Sequence, residues 1–153
     1  MKRRILYLAI VAGFALQGCE SVKVTDLSTL PYCIAEGSNP GNNTDSDCKI
    51  DVTIGQPKPG SCNISAVPDE VAFSERGKEK WIYWHILGTN DYVFPVYGIN
   101  VNDNPGDFGK CKRSEGNKWC GISNKHMNDD KKYKYTIVVS GIGCPTDPWI
   151  YNR

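Results

Sequence analysis

Seven cysteines and two histidines are the side chains of this 153-residue chain best suited to covalent or metal chemistry. Cys19 stands apart near the start; the other six are Cys33, Cys48, Cys62, Cys111, Cys120 and Cys144. No two are spaced as Cys-x-x-Cys, which argues against a zinc site or a dithiol redox pair. A copper electron-transfer site needs two histidines, a thiolate and a weak axial methionine. His85, Cys120, His126 and Met127 supply those types. His126 and Met127 are adjacent, however, so their side chains diverge in extended backbone, and using Cys120 would leave an odd number of cysteines. We expect no metal and no cofactor, and read His85 as a half-buried strand residue. Calcium would draw on Asn43, Asp45 and Asp47, or on Asn102, Asp103, Asn104 and Asp107. Neither set has EF-hand spacing, and Asn and Asp are favoured in plain turns, where they bond their own backbone. There is no nucleophile elbow, no His-Glu-x-x-His and no Gly-rich phosphate loop. No catalytic residues are expected, and the chain is not read as an enzyme.

The elements that would position this chemistry begin with a leader. Lys2, Arg3 and Arg4 precede an apolar run from Ile5 to Leu16, which is too short to span a bilayer as a helix. A basic start, a short apolar run and small residues before a cleavage point describe a secretory signal. The run ends in Leu16-Gln17-Gly18-Cys19. That ending resembles the lipobox of bacterial lipoprotein signals. The resemblance implies removal of residues 1–18, acylation of Cys19 and anchoring in a lipid bilayer of the bacterial envelope. It also implies outer rather than inner membrane, because Glu20 stands where an Asp would retain the protein at the inner one. The alternative is an ordinary cleaved signal. Several acyl chains on one cysteine hold a protein durably, since each buried methylene adds about 0.8 kcal/mol.

Removing the leader leaves 135 residues and a formal charge of −2. That suits one domain with a sizeable core, and a chain so nearly neutral is not read as binding nucleic acid. Residues 19–31 read as the acylated cysteine and a tether, and residues 32–153 as the domain. Six remaining cysteines in an exported domain read as three disulfides with fifteen possible pairings. We favour Cys111–Cys120 across a hairpin, Cys33–Cys48 pinning the polar loop 36–47 to the first strand, and Cys62–Cys144 tying the first hairpin to the C-terminal segment.

Strand periodicity runs through most of the domain. Cys48, Ile50, Val52 and Ile54 alternate with polar residues, and so do Cys62, Ile64 and Ala66 after a Gly/Pro turn, which reads as a hairpin ended by Pro68. Trp81 to Leu87 is apolar on both faces and reads as a central strand, with Trp84 and Trp81 in the core. Tyr92 to Val96 reads as an edge or bulged strand because of Pro95, and Gly98 to Val101 resumes it. Phe108–Lys112 and Lys118–Ile122 flank a turn; Tyr133 to Val139 and Trp149 to Tyr151 follow. No segment has a helical period. Seven to nine short strands with turns between them predict an all-β fold, an antiparallel β-sandwich.

From Trp81 to Arg153 the order is more specific. A Trp/Ile strand precedes Phe94, Ile99 and Phe108; then come Tyr133-x-Tyr135-x-Ile137-x-Val139 and a closing Asp147-Pro148-Trp149-Ile150. This half resembles small bacterial immunoglobulin-like or cupredoxin-like sandwiches of unassigned function. It departs from true immunoglobulin domains, whose second core cysteine would fall in the strand Tyr133–Val139, where there is none.

Charge is uneven. Residues 19–109 sum to −7, and residues 110–134 to +5 through Lys110, Lys112, Arg113, Lys118, Lys125, Lys131, Lys132 and Lys134. If clustered, these could meet phosphate or carboxylate groups of envelope glycans or an acidic protein face; otherwise they are solvated surface. Trp119 is the best candidate for an exposed aromatic contact. Lys110, Lys112, Arg113, Lys118 and Trp119 are therefore the expected contact residues. The reading is a lipid-anchored, non-catalytic binding or accessory module that presents a loop edge to an envelope protein or glycan. The alternatives are a structural envelope-integrity protein contacting peptidoglycan or outer membrane, and a metal-binding cupredoxin-like protein.

Overall fold

The computed structural model describes residues 26–35, 44, 46–55, 63–88, 92–140 and 148–153. The expected signal and acylation point, Cys19, Cys62 and Cys144 with their expected bridge, and the loop residues Asn43 and Asp45 lie outside the described residues.

Nine strands are present among the described residues: β1 (Cys48–Ile54), β2 (Ile64–Val67), β3 (Glu70–Phe73), β4 (Lys80–Ile86), β5 (Ile99–Val101), β6 (Lys112–Arg113), β7 (Trp119–Asn124), β8 (Lys131–Ile137) and β9 (Trp149–Asn152). They form two sheets, ordered β2-β1-β4-β7-β6 and β3-β9-β8-β5. The only helical pieces described are 3₁₀ turns at Leu27–Thr29 and Glu115–Asn117. The fold is an all-β sandwich, as the alternation predicts. Its strand directions differ from the wholly antiparallel expectation. β1 lies parallel to β4, and β3 parallel to β9. The chain achieves this by leaving β2 at the edge of one sheet, turning through Pro68 and entering the other sheet as β3.

Alternation decides which side chains are inside. On β1 the inward set is Cys48, Ile50 and Val52; on β4 it is Ile82, Trp84 and Ile86; on β8 it is Tyr133, Tyr135 and Ile137, and all nine are buried. Inter-sheet contact runs through Trp84, whose ring meets Tyr135 edge-on at 5.2 Å between centroids. β4 sits at the centre of the five-stranded sheet, as its two apolar faces suggest. Trp81 is a correction. It lies on the outer face, half-buried, because it is one residue out of phase with Ile82 and Trp84.

Two expected disulfides are present, Cys33–Cys48 and Cys111–Cys120. The first joins the N-terminal segment to the start of β1. Tyr32 bridges to Lys49 in parallel, and Ala35 and Thr44 bridge to Val71 and Phe73 of the other sheet. Ser28, within residues expected as tether, accepts a hydrogen bond at its carbonyl from Lys49 Nζ at 2.7 Å.

Candidate functional site

Residues 92–98 form no strand, contrary to expectation, and become an ordered loop instead. Pro95 has no N–H to give a ladder, and the neighbouring backbone groups find partners elsewhere. Val93 N donates to Ser140 Oγ at 3.1 Å, and Ser140 N donates back to Val93 O at 2.8 Å. Phe94 N donates to Asn117 O at 2.9 Å, and Gly98 N to Pro95 O at 3.0 Å. The Phe94 side chain is wholly buried and acts as the loop's apolar anchor. Its ring needs Gly98: a Cβ there would stand 2.7 Å from Phe94 Cδ1.

Two expected contact residues brace this loop. Lys118 Nζ donates to Tyr92 O at 2.7 Å, and Arg113 Nη1 donates to Phe94 O at 3.3 Å. The loop so held displays Val96 and Tyr97, exposed at 64% and 70%. Sequence reasoning missed both. A Val-Tyr pair after Pro95 reads as strand, and only the capture of the surrounding N–H groups by Asn117 and Ser140 shows that it is a tip.

The remaining expected contacts lie on or beside the outer face of the five-stranded sheet. Trp119 stacks flat on His85 across the β4–β7 pair, 3.9 Å between centroids and 6° between planes. Trp119 is half-buried there, not freely exposed. Lys112 Nζ sits 4.7 Å from the Trp81 ring centroid, and Trp81 stacks with Tyr83 at 6.0 Å. Tyr83 lies across the backbone of Gly121, where a Cβ would meet its ring at 2.7 Å. Lys110 is exposed beside this face. His85 Nδ1 is 3.7 Å from Asp51 Oδ1, and Asp51 Oδ2 accepts from Tyr32 OH at 2.6 Å. Burial holds the His85 pKa below the usual histidine value, opposed by Asp51 and assisted by Lys49.

The basic stretch does not form one patch. Lys112 and Arg113 are on β6 of one sheet, whereas Lys131, Lys132 and Lys134 are on β8 of the other. No protein-family model matches the chain, and comparison with curated proteins finds no similar sequence.

The opposite end of the sandwich holds a buried polar cluster. Asp107 is fully buried. Its Oδ2 accepts from Tyr133 OH at 2.5 Å and Asn128 Nδ2 at 2.9 Å, and its Oδ1 from Met127 N at 2.9 Å. Burial alone would raise its pKa, but these hydrogen bonds and His126 outweigh it and hold the carboxyl below its usual range. Tyr133, by the same burial and contact, is pushed up to about 12. Asn124 and Asn152 exchange amide hydrogen bonds at 2.7 and 3.2 Å. His126 is buried beside them; its Nε2 is 3.2 Å from Asp129 Oδ1 without the alignment of a hydrogen bond.

This geometry bears on the metal readings. Cys120 is bonded to Cys111, so it is no thiolate ligand. His85 and His126 sit at opposite ends of the five-stranded sheet, His85 facing Trp119 and His126 following Asn124, which pairs with Lys80. Asp107 has both carboxylate oxygens committed to protein donors. Asn104 does turn chemistry, its Oδ1 accepting from the N–H groups of Gly106 and Phe108 at 2.9 and 3.1 Å, while Asp47 accepts from Trp81 N at 2.8 Å. No group of three or more His, Cys, Asp or Glu among the described residues is placed to hold a metal ion.

Proposed function

We propose that the protein is a lipid-anchored envelope lipoprotein acting as a non-catalytic binding module, and that its contact edge is the Val96–Tyr97 tip with Arg113 and Lys118 behind it. The observation that carries this reading is a large exposed aromatic on a loop held by the buried Phe94 and by hydrogen bonds to Asn117, Ser140, Lys118 and Arg113. A tip fixed by Phe94, Lys118, Arg113 and Ser140 has little entropy left to lose on docking. Tyrosine with nearby arginine is the residue chemistry that dominates protein–protein hot spots, where an aromatic anchor enters a pocket and excludes water. A protein partner is therefore favoured for this edge.

Orientation supports the same reading. Tyr32 pairs in parallel with the start of β1, so the chain preceding it comes from the end where β1 and β4 begin. The tip lies at the other end, where Ile86 closes β4 against Lys118 and Asn117 holds Phe94. The tip therefore lies at the end of the sandwich opposite the one from which the chain reaches β1.

The test is affinity capture from cross-linked envelopes with the acylated protein, a soluble Cys19→Ala form and a Tyr97→Ala form, read by mass spectrometry. One dominant protein retained with Cys19→Ala and weakened by Tyr97→Ala is expected, by at least about 2 kcal/mol or roughly 30-fold in affinity, as for a hot-spot residue. Undiminished capture with Tyr97→Ala would remove the tip from the interface. Capture that depends wholly on Cys19 would favour a structural role at the membrane.

A further inference from the structure

We infer that the outer edge of β2 is a dimerisation surface, on which a second copy of this chain pairs its own β2 in the antiparallel sense. Gly55 N donates to Asn63 O at 2.7 Å, and the β1–β2 register continues with Thr53 opposite Ser65 and Asp51 opposite Val67. Hydrogen-bonded pairs alternate along an antiparallel ladder. Asn63, Ser65 and Val67 therefore direct their backbone groups at β1, and Ile64 and Ala66 direct theirs away from it. β2 stands at the margin of the five-stranded sheet. The N–H and C=O groups of Ile64 and Ala66 find no hydrogen-bond partner among the described residues. Such a row of open backbone groups is a template for another strand.

The other sheet margins are less suited. β6 has two residues, both cationic, Lys112 and Arg113. β3 is already joined along its outer side by Ala35 and Thr44. β5 has three residues, of which only Asn100 is exposed. β2 carries Ile64, Ser65, Ala66 and Val67, with no charge among them and with Val67 exposed at 60%. Charge selects the occupant. A second copy sets this strand against itself, and like charges directly opposite each other destabilise a strand pair. β2 brings none, whereas β6 would set cation against cation. A two-fold axis through Ser65 supplies the register. Ile64 then faces Ala66 of the second copy, and Ala66 faces its Ile64. Each of these pairs exchanges two N–H···O bonds, so every open donor on both edges is used. The exposed Ser65 side chains meet on the axis, and Val67 lies diagonal to Ser65 of the second copy, within reach of a cross-strand contact. The interface is isologous and closes at two copies.

This surface stands apart from the Val96–Tyr97 tip, and each can fail without the other. The test is sedimentation equilibrium of the full-length protein in density-matched detergent, with amide hydrogen exchange followed by NMR at the same concentrations. A reversible monomer–dimer equilibrium is expected between micromolar and millimolar protein. Exchange at the Ile64 and Ala66 amides should slow at least tenfold across that range. The Ser65 and Val67 amides, already bonded to β1, should change less than twofold. Ser65→Lys brings two ammonium groups together on the axis and should raise the dimer dissociation constant at least tenfold. Asn100→Lys puts the same charge on β5 and should change it less than twofold. Far-UV circular dichroism checks that each variant keeps the wild-type fold, and Val67→Lys takes the place of Ser65→Lys if that variant does not. A protein that stays monomeric throughout, a dimer indifferent to the folded β2 variant, or equal dissociation by Asn100→Lys would overturn the inference.

Discussion

At the scale of single residues, Asp107 and His85 show how one side chain's surroundings set its chemistry. Asp107 is a buried carboxylate that satisfies three donors from Asn128, Tyr133 and the Met127 amide. Replacing it with Ala strands the buried Tyr133 hydroxyl, while the part-buried Met127 and Asn128 donors can turn to water, and one unsatisfied buried group costs about 1–3 kcal/mol. We expect Asp107→Ala to destabilise the domain by about 1–3 kcal/mol in urea denaturation. Its pH dependence follows from the direction of its shift. A carboxyl whose folded pKa lies below its unfolded value of 3.8 contributes stability above that value. This contribution is lost as pH falls through the lower folded pKa. Asp107→Asn should therefore flatten the stability profile below about pH 4, a difference that acid titration by circular dichroism would register. His85 behaves in the related sense for a base. Its folded pKa is depressed, so its stabilising influence is complete above the ordinary value of 6.5 and fades as pH falls below it. NMR titration of its imidazole should give a midpoint below 6.5, moving upward in Trp119→Ala as solvent reaches the ring. The sequence placed His85 correctly as half-buried, because alternation along a strand is local. It placed Asp107 only in a turn-rich Asn/Asp segment, because nothing local distinguishes a carboxylate that folds inward onto Tyr133 from one that faces water.

Among elements, strands with clean alternation were legible and those governed by distant partners were not. β1, β4, β8 and β9 follow period-two patterns that any sheet would demand. The short strand β3, Glu70-Val71-Ala72-Phe73, follows Pro68, lacks polar–apolar alternation and is not among the strands expected from the sequence. It exists because β9 supplies a parallel neighbour from nearly eighty residues later. The reverse holds for Tyr92–Val96, whose composition fits a strand but whose N–H groups are taken by Asn117 and Ser140. Covalent staples were more predictable, because Cys111 and Cys120 bracket a hairpin whose turn is written in Ser114, Gly116 and Asn117. Cys111→Ser with Cys120→Ser opens a loop of about ten residues and should cost about 2.7 kcal/mol in the chain-entropy account. Thermal denaturation of the double variant checks this, and an unchanged midpoint would mean that β6 and β7 pair as well without the bridge.

Viewed as a whole molecule, the domain divides its polar and apolar displays between its two ends and two outer faces. The chain enters at the end holding Asp107 and the Asn124–Asn152 pair, and Val96 and Tyr97 project from the other. The entering segment is welded to β1 by Cys33–Cys48, and β1 lies parallel to the central strand β4. A consequence follows for load. If a partner held at Tyr97 is dragged against a chain fixed before Asp26, tension runs lengthwise along β1 and β4. Their ladder hydrogen bonds, which lie across the strands, are then strained together in shear instead of opening one at a time from an edge. Under such a load the parallel alignment of β1 with β4 would set the sandwich's greatest resistance along the line of pull.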